Sequence, residues 1–212
     1  MDAAIQQVLA ELEQREVAEN EIVAGLPLEE YMRRRDEFLI PIGNRAGMLL
    51  NILVKESRAR RILELGVAYG YSTVWLAEAA RENQGEVVSI EIVPHKLEIA
   101  HATLVRAGLS KYVDLRLGDA SQIIPSLEGS FDFVLLDLWK ELYIPSFDLF
   151  HPKLKSGAFI AADNMLFPER YRDHARAYRA HVRSKPGISS LLLPVGNGVE
   201  LSRYDAVGTV ES

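Results

Sequence analysis

The sequence predicts an α/β fold, a largely parallel β-sheet with helices on both faces, finished by an antiparallel strand. Two observations carry that prediction. From residue 61 onward, short β-branched runs alternate with segments of helical spacing, which is the pattern of βαβ units. Towards the C-terminus the alternation stops, and "ISSLLLPVGNGVELSRY" sets two strand-like runs around "GNG", a hairpin signal.

The elements follow in order. Residues 2–57 read as helical, punctuated at "GLP" and "IPIG", and are either a cap over the sheet or a dimerisation arm. The first strand is "RILELG" (61–66), with a helix over 72–82. "EVVSIEI" (86–92) precedes a helix over 95–108, and "YVDLRLG" (112–118) one over 121–127. "FDFVLLD" (131–137) leads into a helix over 141–154, and "GAFIAAD" (157–163) is the fifth strand of the series. These runs read as buried strands, as expected where helices cover both faces of a parallel sheet. No repeat, linker or low-complexity tract appears, so a single domain over 1–212 is expected, with 1–57 as helical cap and 58–212 as α/β core.

Composition narrows the function. The 212 residues are 48% hydrophobic and 25% charged, with a net charge of −6. That is a soluble globular profile, and its acidic balance disfavours a nucleic-acid partner, which needs a basic footprint. The absence of cysteine excludes disulfides, a thiolate nucleophile and Cys-ligated zinc. No stretch approaches 18 consecutive apolar residues, and "MDAAIQQVLAELEQREVAENE" lacks the pattern of a signal peptide. A cytoplasmic protein with no membrane partner is expected.

The chemistry should lie where the parallel strands end. The first strand ends "LELGVAYGYST": Gly66 and Gly70 permit a tight turn close to a ligand, and Ser72 opens the next helix. The spacing is neither G-x-G-x-x-G nor a P-loop, so neither a dinucleotide nor a phosphate cradle is indicated. Glu91, at the end of the second strand, is placed to accept hydrogen bonds from ribose hydroxyls. Asp119, Ser121 and Gln122, in "GDASQ", would edge an adenine. Glycines and acids at strand ends also make ordinary turns, but three consecutive strand ends in register suit a nucleoside without pyrophosphate. Asp137 ends the fourth strand and Asp163–Asn164 the fifth. If those strands are neighbours, three hard oxygen donors meet at one rim, which favours Mg²⁺ over zinc or copper. In "DLWK", Trp139 would offer a flat wall, and Lys140 beside a dication would be disposed to act as a base.

"LELGVAYGYST", "SIEIVP", "GDASQIIPSL", "LLDLWKELY" and "AADNMLFP" together resemble the metal-dependent catechol O-methyltransferase family, from about Ile42 to Tyr204. The resemblance implies a seven-stranded, Rossmann-like class I methyltransferase sheet with S-adenosyl-L-methionine and Mg²⁺ as cofactors. It assigns Glu64, Gly66, Gly70, Tyr71, Ser72, Glu91, Ile92, Asp119, Ala120, Ser121, Gln122, Asp137 and Trp139 to the S-adenosylmethionine site. "IGNRAG", beginning at Ile42, resembles the segment over its methionine part. Asp137, Asp163 and Asn164 would bind the metal, with Lys140 as base and Glu200, from "GVE", gripping the second hydroxyl. Trp139, Asn164 and Pro168 would join Lys140 and Glu200 around the substrate.

Three positions depart from the family pattern. Leu138 stands where the animal enzymes carry His, Ala68–Tyr69 differs from their aromatic-then-small order, and Phe167 precedes the substrate-wall Pro168. A small catechol-type acceptor is therefore expected, bulkier than a catecholamine, with a homodimer as a further expectation. The alternatives are a caffeoyl-coenzyme A or flavonoid-like acceptor, or a non-catalytic S-adenosylmethionine-binding protein. "ERYRDHARAYRAHVRSK" reads as a solvated helix face, with the alternative that its basic side chains attract an acidic acceptor.

Overall fold

Seven strands pair in the order β3-β2-β1-β4-β5-β7-β6 in the computed structural model, which describes residues 1–207. β1 (Arg61–Leu65), β2 (Glu86–Glu91), β3 (Val113–Leu117), β4 (Phe131–Leu136) and β5 (Leu154–Ala162) are mutually parallel. β7 (Val199–Tyr204) runs antiparallel between β5 and β6 (Ile188–Leu193), as the hairpin signal requires. The chain reverses direction across the sheet at β1 and β4, so the cleft beyond their carboxyl ends is the natural ligand site.

Side chains alternate along each strand and feed two cores. Ile62, Val87, Phe133, Leu135 and Ala161 join one with α1 (Ala3–Ala24), α3 (Asn44–Glu56) and α4 (Tyr71–Glu82). Leu63, Leu65, Val134, Leu136 and Ile160 enter the other with α7 (Tyr143–Phe150) and α8 (Arg172–Arg183). Trp75 is buried in the first core. α5 (Pro94–Arg106) and α6 (Ala120–Ser126) complete the βαβ units.

Two boundaries differ from expectation. The helix foreseen over 141–154 is α7 flanked by short 3-10 turns at Lys140–Leu142 and His151–Lys153, because Pro152 cannot continue an α-helix. β5 then starts at Leu154 with a register irregularity opposite Phe131/Phe133, at which Gly157 adopts φ +89°.

The N-terminal region is a cap. α1 buries Ile5, Val8, Leu9 and Leu12 and contacts α4 and α5. α2 (Leu28–Arg34) follows the break at Gly25–Pro27, and residues 38–43 cross the carboxyl edge of the sheet without regular structure. Asp36 anchors this crossing: its carboxylate accepts from Lys96 Nζ at 2.7 Å and its carbonyl from Tyr69 at 3.0 Å. Among the described residues no helix is long and apolar enough to cross a membrane.

Candidate active site

The carboxyl ends of β4 and β5 deliver the acidic residues together. Leu136 and Ala162 are register partners, and each is followed by an aspartate, so parallel pairing sets Asp137 beside Asp163. The Asp163 N–H donates to the Leu136 carbonyl at 3.1 Å. Asp163 is 2% exposed, and neither of its carboxylate oxygens has a hydrogen-bond partner. Burial, reinforced by the charge of Asp137, pushes its carboxyl up to about 8. Burial likewise raises the Asp137 carboxyl, against the pull of Lys140. Asn164 follows with φ +55°, a left-handed conformation that asparagine tolerates.

Lys140 closes the group. Its Nζ donates to Asn164 Oδ1 at 3.0 Å, the Leu138 carbonyl at 3.1 Å and the Tyr143 hydroxyl at 2.5 Å, and lies 4.0 Å from Asp137 Oδ1. The Tyr143 hydroxyl in turn donates to the Asp163 carbonyl at 3.1 Å. Lys140 is buried, and desolvation favours its neutral amine.

This donor set fits a hard dication. Two adjacent carboxylates, Asp137 half-buried and Asp163 buried with both oxygens unpaired, repel each other until a cation or a proton joins them. Among the described residues no third His, Cys, Asp or Glu joins them; the third donor is the Asn164 amide. An all-oxygen set of this size suits Mg²⁺, which keeps open positions for substrate and water.

Asp137, Lys140 and Asn164, with Asp163 buried beside them and outside the lining, form one end of a cleft of about 620 Å³. Ile42, Gly66, Tyr71, Ser72, Glu91, Ile92, Asp119, Ala120, Ser121, Asp137, Trp139, Lys140, Asn164 and Pro168, all read from the sequence as site residues, line it. Gly66 has φ +94°, and a Cβ there would stand 2.1 Å from the Asp137 carbonyl oxygen, so only glycine lets β1 and β4 end side by side. Asp119 caps α6 by accepting from Ser121 N–H at 2.8 Å. The Glu91 carboxylate accepts four backbone N–H bonds, from Val67, Ala68, Ile92 and Val93. It is thus held at the cleft wall, and a ribose diol would have to take over part of that shell.

Four expected site residues lie elsewhere. Glu64 is fully buried beneath the turn, accepting from Ser72, Thr73 and Ser89 at 2.6–2.8 Å, and burial raises its carboxyl to about 7. It holds the start of α4 rather than facing the cleft. A Cβ on Gly70 would stand 3.2 Å from the Ala100 Cα on α5, and Gln122 is solvent-exposed outside the cleft.

Glu200 is the larger correction. Its side chain turns under α8, fully buried, where Arg183 donates at 2.7 and 3.2 Å and Ser190 at 2.6 Å, with Arg179 at 3.4 Å. Strand alternation decides this: with β7 in its observed register, Glu200 faces the helix and not the cleft. Conversely, Leu39, Ile40 and Pro41 of the cap, together with Asn197 and Arg170, line the cleft without having been foreseen. Tyr143 also went unnoticed, although its place three residues after Lys140 in "KELY" is a readable signal.

Residues 14–204 match the O-methyltransferase family. The chain belongs to that family. Over 181 residues it is 29% identical to a catechol O-methyltransferase of Niastella koreensis, covering 79% of this chain and 80% of the other. It is 30% identical over 177 residues to caffeoyl-CoA O-methyltransferase 1 of Eucalyptus globulus, covering 74% and 72%. The methyltransferase superposes on the O-methyltransferase from Bacillus cereus in complex with SAH with a TM-score of 0.76, at 26% identity over 94% of this chain and 91% of that one.

Within this methyltransferase, Tyr143→Phe is expected to lower kcat by about tenfold, the equivalent of one net hydrogen bond. The KM for the acceptor should stay near the wild-type value, because the hydroxyl is buried behind Lys140. Steady-state kinetics separate the two constants, and a change confined to KM would show that Tyr143 does not orient the lysine.

Proposed function

We propose that this enzyme transfers the methyl group of S-adenosyl-L-methionine to one hydroxyl of a catechol-type acceptor, assisted by Mg²⁺. The observation that carries the proposal is the meeting of the unpartnered Asp163 carboxylate with Asp137, Asn164 and the buried Lys140 at one end of the cleft. A binding protein without chemistry has no physical need for a desolvated lysine beside two crowded carboxylates.

Glu91, Asp119 and Ser121 would hold the nucleoside, and Ile42, Tyr71 and Ser72 would border the methionine part. Methyl transfer then needs a phenolate oxygen in line with the sulfonium methyl. A phenol ionises near pH 10, as tyrosine does, so forming phenolate at pH 7 costs about 4 kcal/mol. Lys140 Nζ is disposed to receive that proton, since its burial favours the neutral amine. Asp137, Asp163 and Asn164 would hold the dication, which when bound stabilises the developing phenolate and favours acceptors with adjacent hydroxyls. Trp139 and Pro168 would border the ring, and the cap residues Leu39 and Ile40 would exclude water. Much of the acceleration would come from alignment, because the charges of sulfonium and phenolate partly cancel on the way to products.

The deciding experiment is transfer of labelled methyl to a simple catechol, with Mg²⁺ and then with chelator. Transfer lost on chelation and restored by Mg²⁺ is the expected result. Failure across a broad catechol panel, with the cofactor still bound, would sink the acceptor assignment. A caffeoyl-coenzyme A acceptor is the second reading, favoured by the Eucalyptus relative and by the cleft's volume of about 620 Å³.

A further inference from the structure

At the acceptor end of the cleft, four side chains from three distant segments form a contiguous row. Arg35, from the cap, lies with its guanidinium carbon 4.1 Å from the Trp139 ring centre. Trp139 and Tyr171 have ring centres 6.4 Å apart. Arg170 lies 4.9 Å over the other member, Tyr171. Trp139, Tyr171 and Arg170 line the cleft itself.

Several neighbouring arginines are engaged by carboxylates. Arg34 pairs with Glu30 and Glu37, Arg172 with Glu169, and Arg179 and Arg183 with Glu200. Arg35 and Arg170 have no carboxylate within 4.0 Å among the described residues. In a chain of net charge −6, two uncompensated guanidinium groups flanking one aromatic pair are a local reversal of sign. Stacking orients a guanidinium plane while leaving its edge N–H groups free, and that edge matches the geometry of an oxyanion. The cofactor's own anionic group is no explanation, because the residues suited to its methionine part, Ile42, Tyr71 and Ser72, belong to other elements of the cleft.

We propose that Arg35 and Arg170 form an anion-reading subsite, selecting catechol-type acceptors that carry an oxyanion on the side chain opposite the hydroxyls. The inference rests on the proposed acceptor chemistry and deepens it. Phe167 and Ile40, both largely exposed, would cover the apolar body of such an acceptor, between the metal end and the two arginines. The same chemistry is offered by a free carboxylate or by the phosphates of a coenzyme A thioester, and matched acceptors separate the two.

The experiment compares caffeate, its methyl ester and its coenzyme A thioester as acceptors for the wild type, Arg35→Gln and Arg170→Gln, with saturating cofactor and Mg²⁺. Either substitution should raise the KM of an anionic acceptor by about tenfold, the scale of one charge-assisted hydrogen bond. The neutral ester should keep its wild-type constants, which also certifies that the variants are folded. A response confined to caffeate identifies a carboxylate, and one confined to the thioester identifies phosphate. Equal effects on acid and ester, or a changed KM for the cofactor alone, would overturn the subsite. Calorimetric titration with caffeate and its ester makes the same comparison without turnover. Arginine-dependent preference for the acid in binding, without methyl transfer, would keep the subsite and refute the proposed reaction; no such preference would refute the subsite whatever the reaction.

Discussion

Asp163→Asn is expected to lower methyl transfer by about a thousandfold, because it removes a charged donor from the centre that would stabilise the phenolate. The same substitution should have the opposite effect on the metal-free protein. Burial raises the Asp163 carboxyl from 3.8 to about 8, so the folded chain binds this proton more tightly than the unfolded chain. A raised carboxyl contributes stability that is complete below its unfolded value and is lost as pH rises through its folded value. Metal-free wild type should therefore become less stable between about pH 4 and pH 8, and Asp163→Asn should flatten much of that slope. Glu64, raised to about 7, supplies a second component of the same sign that the variant retains. At pH 8, Mg²⁺ at a hundred times its Kd adds about 2.7 kcal/mol to a protein that binds it only when folded. For a chain of this size that is a rise of roughly 5–10 °C in Tm. Thermal unfolding with and without Mg²⁺ checks the prediction; an unchanged Tm in the wild type, or the same rise in Asp163→Asn, would remove Asp163 from the metal site.

Glu200→Ala should damage the fold and leave the chemistry largely intact, which separates the observed role of Glu200 from the one its motif implied. Its carboxylate is fully buried and bonded to Arg183 and Ser190, with Arg179 close by. Truncation strands those donors beneath α8 and opens a void between α8 and the β6–β7 hairpin. Removing one member of a buried pair costs about 3–5 kcal/mol, and the partial exposure of both arginines brings the expected loss to about 3 kcal/mol. A fall of roughly 6–12 °C in Tm should accompany it. Below the unfolding transition, kcat/KM for a catechol acceptor should stay close to wild type. A collapse in kcat at unchanged Tm would return Glu200 to the reacting centre.

Much of this architecture was legible in one dimension. β1, β2 and β4 are buried almost throughout because helices cover both faces of the sheet, and each of β1 to β5 ends on or just before a glycine or carboxylate because the turn beyond must leave the core. The hairpin of β6 and β7 is announced by Gly196–Asn197–Gly198, since the positive φ that both glycines adopt suits few other residues. The same logic put Asp137 and Asp163 at strand ends, while the pairing of β4 with β5 makes those ends neighbours. What it missed involved side-chain direction. "GVE" matches a family motif, yet a step of one residue along a strand moves a side chain to the opposite face, and Glu200 points under α8. "LELG" likewise contains Glu64, which strand alternation buries beneath the turn, whereas Gly66 lies at its open end.

The cap illustrates the other limit. Residues 2–57 were readable as helical because periodicity is a local property, and whether they covered the sheet or extended from it was not. That outcome rests on contacts between distant segments: Asp36 with Lys96, Arg35 with Trp139, and Leu39 and Ile40 against the cleft. Element type, strand ends and the identity of the acidic donors follow from patterns a few residues long. The crowding that drives the Asp163 carboxyl upward, the burial of Lys140 and the pairing of cap with cleft arise only when strands and helices close on one another, because desolvation and proximity are properties of the packed chain.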